Sequence, residues 1–170
     1  MRKIILNVAM SLDGLIEGPN GEFDWCFTDQ DYGMTDFLNR VDAIFYGRKS
    51  YTMMIKESGG KNPFANKQSF VFSNSLPPDP AYTLIAGDVI AQVKEIKAGK
   101  GKDIWLFGGA ELTASLMKDQ LVDELLLAVH PIILGKGKPL FDTLSGRIQT
   151  KLLNSKAYSS GLVSMHYSVS

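Results

Sequence analysis

Two places in the chain, "FYGRKSY" (45–51) and "LFGGAEL" (106–112), join a short apolar run to a helix-like run through glycine alone. A buried-type strand that passes directly into a helix is the junction of a strand–helix–strand unit. Such units build a parallel sheet with helices on its faces. Glycine is costly inside a regular element, so its position at both junctions has one of two meanings. Either it makes a tight turn, as strand–helix loops commonly require, or it lets a ligand approach bare backbone.

The rest of the chain extends the alternation. "KIILNVAM" reads as a first strand, and "SLDGLIEGPNGEFDW" as a long loop too irregular for either period. "DQDYGMTDFLNRV" has helical spacing at Tyr32, Phe37 and Val41, and "DAIFYG" is a strand ended by Gly47. "RKSYTMMIKE" is a short helix, "QSFVFSNS" a strand, and "YTLIAG" another after the turn "LPPDP". "DVIAQVKEIKAGKG" is a helix with Asp88 near its start and Gly99 past its end. "DIWLFGG" and "AELTASLMKDQ" form the next strand and helix, and "DELLLAVHPIILG" is a long apolar strand with a bend at Pro131. "KGKPLFD" is a loop, and residues 149–170 form two antiparallel strands joined near Ser160 and Gly161. The expectation is an α/β fold: one mixed, mostly parallel sheet flanked by helices and closed by an antiparallel hairpin. No linker marks a second domain, so residues 1–170 read as one.

In open α/β sheets, ligands lie beyond the carboxyl ends of the strands. A helix N-terminus there offers free N–H groups and partial positive charge, which suit phosphate. Arg48 and Lys49 can add charge-assisted bonds. Two such helix ends plus an arginine match a dinucleotide carrying an extra phosphate. Neither G-x-G-x-x-G nor G-x-x-x-x-G-K-[ST] is present, so this is neither a Rossmann nor a P-loop site.

Lys plus Arg and Asp plus Glu both number 18, which argues against nucleic acid or an anionic membrane as the main partner. The single cysteine, Cys26, excludes an internal disulfide framework, and no nearby His or basic residue activates it. The brief apolar run at the N-terminus reads as a strand rather than a signal peptide, so the expected location is cytoplasmic. His130 and His166 lack metal-ligand spacing and read as structural or exposed; no metal is expected.

The segments "VAMSLDGLI", "DAIFYGRKSY", "FVFSNS", "IWLFGGAELTASLM" and "DELLLAVHPIILGKGKPLF", in that order, resemble the dihydrofolate reductase-like superfamily. Within it they are most similar to the reductase domain of bacterial riboflavin biosynthesis, the RibD C-terminal type. The resemblance implies an NADPH-dependent reductase. Gly47, Arg48, Lys49 and Ser50 match its cofactor-binding turn, with Arg48 at the 2′-phosphate. Ser73 and Asn74 match the strand end on the adenosine side. Gly108 and Gly109, leading into Ala110 and Glu111, match the diglycine under the pyrophosphate and nicotinamide, a bond often cis in this superfamily.

On the substrate side, the resemblance places Ser11, Asp13, Trp25 and Asp31. Asp13 is either a substrate contact or a turn residue bonded to nearby backbone. Trp25 either approaches the substrate or anchors its loop. Asp31, with Asp36 as competitor, falls where dihydrofolate reductases place their active-site carboxylate. A carboxylate of raised pKa there would deliver a proton; the alternative is a charge opposing the helix dipole. If the match extends to substrate, the acceptor is that of 5-amino-6-(5-phosphoribosylamino)uracil reductase, a ribosylaminopyrimidine phosphate. A paralogue with a different small-molecule substrate fits the same residues. No H-x-E with P-C-x-x-C signature is present, so the chain is not expected to be the bifunctional enzyme.

Dihydrofolate reductase activity is the alternative, and a non-catalytic nucleotide-binding protein a further one. Ala128, where dihydrofolate reductases carry a threonine, and Lys67, near the place of their tail-binding arginine, count against folate. The "GKGKPLF" stretch and the apolar strand before it match a subunit contact, which implies a homodimer.

Overall fold

The structure, a computed structural model, describes residues 1–170. Eight strands form one sheet, ordered β5-β4-β3-β6-β1-β7-β10-β9. These are β1 (Ile4–Met10), β3 (Val41–Gly47), β4 (Gln68–Phe72), β5 (Thr83–Ile85), β6 (Asp103–Gly108), β7 (Glu124–Val129), β9 (Thr150–Ala157) and β10 (Val163–Val169). β1 lies at the centre, parallel to β6 and β7, and only β10 runs against the rest, antiparallel to both β7 and β9. A sheet covered on both faces needs strands apolar on both sides. Ile4, Ile5 and Leu6 in β1, and Ile44 and Phe45 in β3, are accordingly all fully buried.

Alternation sorts the core into two faces. Ile4, Leu6, Phe45 and Leu106 pack with Val93 of helix α3 (Val89–Ala98) and Leu116 of α4 (Ala110–Lys118). Ile5, Ile44 and Trp105 pack with Phe37 of α1 (Met34–Arg40) and with Tyr51 and Met54 of α2 (Arg48–Glu57). Burying each such side chain contributes about 1.5–3 kcal/mol. The sequence placed α2, α3, α4 and the terminal hairpin correctly. Asp88 caps α3 through the Ala91 N–H, and Gly99 ends it.

Three local expectations change. α1 begins at Met34, because Gly33 sits at φ 82° and the chain before it is irregular. β7 ends at Val129, so Pro131 lies beyond the strand and bends nothing. The two segments read as loops contribute short strands β2 (Leu15–Glu17) and β8 (Lys138–Pro139), which pair with each other. Three and two residues are too few to show a period of two.

At the amino ends of the strands, the Glu124 carboxylate, 4 % exposed, meets Lys3 Nζ at 2.6 Å, Arg40 Nη1 at 2.9 Å and His166 Nε2 at 2.7 Å. Burial opposes its ionisation, yet Arg40, Lys3 and His166 hold its pKa down at about 2. No helix is long and apolar enough to cross a membrane.

Candidate active site

The carboxyl ends of β1, β3, β6 and β7 open into a cleft of about 990 Å³ that Ala9, Gly47, Gly108 and Ala128 all line. It has two walls of different construction.

The first wall is backbone at two strand–helix junctions. Gly47 ends β3 and opens α2; Arg48 and Lys49 follow, exposed, with Ser50 behind them, and all four line the cleft. Gly108 and Gly109 end β6 through a cis peptide bond, and Ala110 and Glu111 open α4. A Cβ on Gly47 would stand 3.4 Å from the Gly108 carbonyl oxygen, so the two junctions nearly touch. Gly108 has φ +124°, a conformation side-chain-bearing residues rarely adopt, and the space where its Cβ would point is open. In α4 the Thr113 N–H bonds back to the Gly109 carbonyl at 3.0 Å. The N–H groups of Ala110, Glu111 and Leu112 precede that bond and are free for a ligand.

Thr113 adds a signal that no motif carried. Its hydroxyl is buried, lines the cleft and has no hydrogen-bond partner. Helical side chains lean toward the N-terminus, so this orphan lies over the diglycine turn. Unpaired buried polar atoms are uncommon. Bare backbone, free amides, an arginine and an orphan hydroxyl on one wall together fit a phosphorylated dinucleotide. Ser73 and Asn74 lie just outside: Phe72 pairs with Gly47, and the Ser73 hydroxyl accepts the Ser75 and Leu76 N–H groups, fixing the turn.

The second wall is made of side chains from separate segments. Pairing sets Ala9 beside Ala128 and Ala128 beside Ser164; one step down, Asn7 pairs with Leu126. Phe27, Tyr32, Met34 and Met53 enclose this floor. His130, 2 % exposed, fixes the wall. Its Nε2 accepts the Phe27 N–H at 3.1 Å, so its Nδ1–H donates to the Ala128 carbonyl at 3.0 Å. Trp25 packs edge-on against this imidazole at 5.3 Å, and Phe27 does so at 5.0 Å. Trp25 therefore anchors the loop and does not line the cleft. Cys26 lines it, with burial and then Asp24 pushing its thiol up to about 11.

The two aspartates part company. Asp31 lines the cleft. It caps the approach to α1: Oδ1 accepts the Thr35 hydroxyl at 2.7 Å and N–H at 3.0 Å, and Oδ2 the Gly33 N–H at 3.0 Å. The Thr35 hydroxyl above all holds its carboxyl below the usual range, against the raised pKa that the sequence reading required. Asp13 is outside the cleft. The Ser11 hydroxyl donates to it at 2.6 Å, and the Leu134 and Gly135 N–H groups at 3.1 and 2.8 Å, holding its pKa at about 2. Ser11 is buried and its oxygen also accepts the Leu15 N–H. The "SLDG" stretch thus pins the 134–135 loop.

The profile of the RibD C-terminal domain family matches residues 2–164. The uncharacterised protein YyaP of Bacillus subtilis (strain 168) is 42% identical over 177 residues, covering 98% of this chain and 94% of its own. A putative riboflavin biosynthesis protein from Shewanella sp. PV-4 superposes with a TM-score of 0.86 at 27% identity, over 100% of this chain and 99% of that one. Dihydrofolate reductase from Enterococcus faecalis, complexed with NADP(H), shares the fold at TM-score 0.71 and 12% identity, over 98% of this chain and 96% of its own. With its diglycine junction, parallel core and terminal hairpin, the chain belongs to the RibD C-terminal domain family, whose fold is that of dihydrofolate reductase.

Proposed function

We propose that this chain is an NADPH-dependent reductase of a small-molecule C=N or C=O group, a paralogue of the riboflavin-pathway reductase with its own substrate. One observation carries the reading: both glycine junctions and the partnerless Thr113 hydroxyl open onto the same cleft. The cofactor supplies hydride when bound. Gly47, Lys49 and Ser50 hold its adenosine side, with Arg48 on the 2′-phosphate. Gly108, Gly109 and the first turn of α4 hold its pyrophosphate. The aromatic loop pinned by His130 excludes water from the opposite wall.

Folate fits poorly. Lys67 Nζ is committed to the Leu38 and Val41 carbonyls at 2.6 and 2.8 Å, and so offers nothing to a glutamate tail. We further read β9 as a subunit contact: every residue of this edge strand is exposed, with Leu152 and Leu153 about half so.

Titration of NADPH and NADH against wild type and Arg48→Ala tests the cofactor reading. An arginine–phosphate contact contributes about 1.5–3 kcal/mol. Arg48→Ala therefore lowers NADPH affinity by about tenfold or more and leaves NADH nearly unchanged. If neither nucleotide binds at millimolar concentration, the junctions are turns and the reading fails.

A further inference from the structure

One flank of the cleft belongs to neither wall. It is the β2–β8 pair: Ile16 and Glu17 on one strand, Lys138 on the other and Leu140 just beyond all line the cleft. Leu140, 2 % exposed, belongs to the core on the α3–α4 side of the sheet, together with Leu116 and Met117 of α4, and Ile16 packs against the same core. α1 and α2 pack on the other side, through Phe37, Tyr51 and Met54. The flank therefore lies on the side of the sheet from which α4 presents its free amides.

Backbone holds Lys138 in place. Gly137 precedes it at φ +152°, and a Cβ on Gly137 would stand 2.1 Å from the Glu17 carbonyl oxygen. β8 thus lies against β2 with no space for a side chain at that step. The Leu140 N–H then bonds to the Gly14 carbonyl at 3.0 Å. Between these two anchors Lys138 is half-buried, and its ammonium enters no ion pair, even with Glu17 across the strands. An ammonium half removed from water favours an anion as partner.

The nucleotide reading leaves one anion without a countercharge. A diphosphate against α4 meets amides alone, and Glu111 of that same first turn lines the cleft and opposes it. Arg48 and Lys49 open α2, on the other side of the sheet. His130 has both ring nitrogens engaged. Lys138 is the basic side chain that remains. Resting on the reductase reading, we propose that Lys138 is the countercharge of the cofactor's diphosphate, reaching it from the β2–β8 pair as a point charge. Arg48 then reads the group that distinguishes NADPH from NADH, and Lys138 the group the two share.

The test is calorimetric titration of NADPH, NADH and adenosine 2′-monophosphate, which lacks a diphosphate, against wild type, Lys138→Ala, Lys138→Arg and Arg48→Ala. A charge-assisted contact of this kind is worth about tenfold in affinity. Lys138→Ala should weaken NADPH and NADH by that same factor and leave adenosine 2′-monophosphate unchanged. Lys138→Arg should restore most of the loss. Arg48→Ala should weaken NADPH and adenosine 2′-monophosphate and spare NADH. The proposal is overturned if Lys138→Ala binds both dinucleotides as wild type does, which would leave Lys138 to a substrate anion or to solvent. It is overturned also if only NADPH is weakened, or if adenosine 2′-monophosphate is weakened equally. Failure of wild type to bind either dinucleotide at millimolar concentration strikes instead at the reductase reading, and this proposal falls with it.

Discussion

The two walls of the cleft recognise chemistry in different ways. The first wall is backbone: Gly47, the Gly108–Gly109 pair and the first turn of α4, with Arg48 and Lys49 at its edge. Its polarity comes from amides fixed by the fold, which need no side-chain ordering to meet a phosphate. The opposite wall is side chains: Phe27 and Tyr32 from one loop, Met34 from the start of α1, Leu126 and Ala128 from β7, Ser164 from β10. The Asp31 carboxylate is oriented by Thr35 rather than by the sheet. A wall of the first kind is common property of a fold, and a wall of the second kind varies with substrate. One fold can thus keep one backbone site and change what lies across from it.

The sharpest way to separate the walls is to close one of them. Gly108→Val puts a side chain into the open space at φ +124°. The backbone there costs about 1–3 kcal/mol for a side-chain-bearing residue, and the branched group occupies the ligand's room. NADPH affinity falls by about a hundredfold, while the Phe27–His130 hydrogen bond of the other wall, read as protection of the Phe27 amide from hydrogen exchange, persists. Loss of both together would mean that the walls are not independent.

The side-chain wall has its own weak point. Glu124 ties Arg40 at the end of α1 to His166 on β10, the two elements whose far ends flank the substrate floor. Glu124→Gln leaves Arg40, Lys3 and His166 without their carboxylate. Breaking a buried pair costs about 3–5 kcal/mol, and the partial exposure of Arg40 and Lys3 reduces this to about 2–3 kcal/mol. Denaturant unfolding should show that loss, with Arg48-dependent nucleotide preference retained. An unchanged midpoint would show that the network is only a surface contact.

Acid probes the same supports more gently. Glu124 and Asp13 both have folded pKa values near 2, below the unfolded 4.5 and 3.8. Their contributions are complete above the unfolded values and disappear as pH falls toward the folded ones. Stability should therefore be flat with pH just above this range and decline between about pH 4.5 and 2. Asp13→Asn should make the decline shallower without altering nucleotide affinity, because Asp13 grips the 134–135 loop outside the cleft.

The contrast also explains what was readable beforehand. Gly47 and Gly108–Gly109 are local signals, because a strand, a glycine and a helix are contiguous in sequence. The order of elements and the meeting of the two junctions at one cleft followed from them. Thr113 was invisible because its lack of a partner is a fact of packing, not of pattern. The second wall is assembled by register between distant strands, Ala9 with Ala128 and Ala128 with Ser164, which no local window contains. His130 was read as structural or exposed; it is buried, and that it pins Phe27 across 103 residues lay beyond reach. Asp13 and Asp31 both accept hydrogen bonds that hold their carboxyls low, and position distinguishes them: one grips the 134–135 loop and the other lies beside the cleft.

The most direct measurement of the division between walls is hydrogen exchange of the backbone amides with and without saturating NADPH. The account predicts slowed exchange in residues 47–50 and 108–113, where the nucleotide covers free amides, and little change in residues 25–31 and 162–164. Protection of the second set without the first would contradict it.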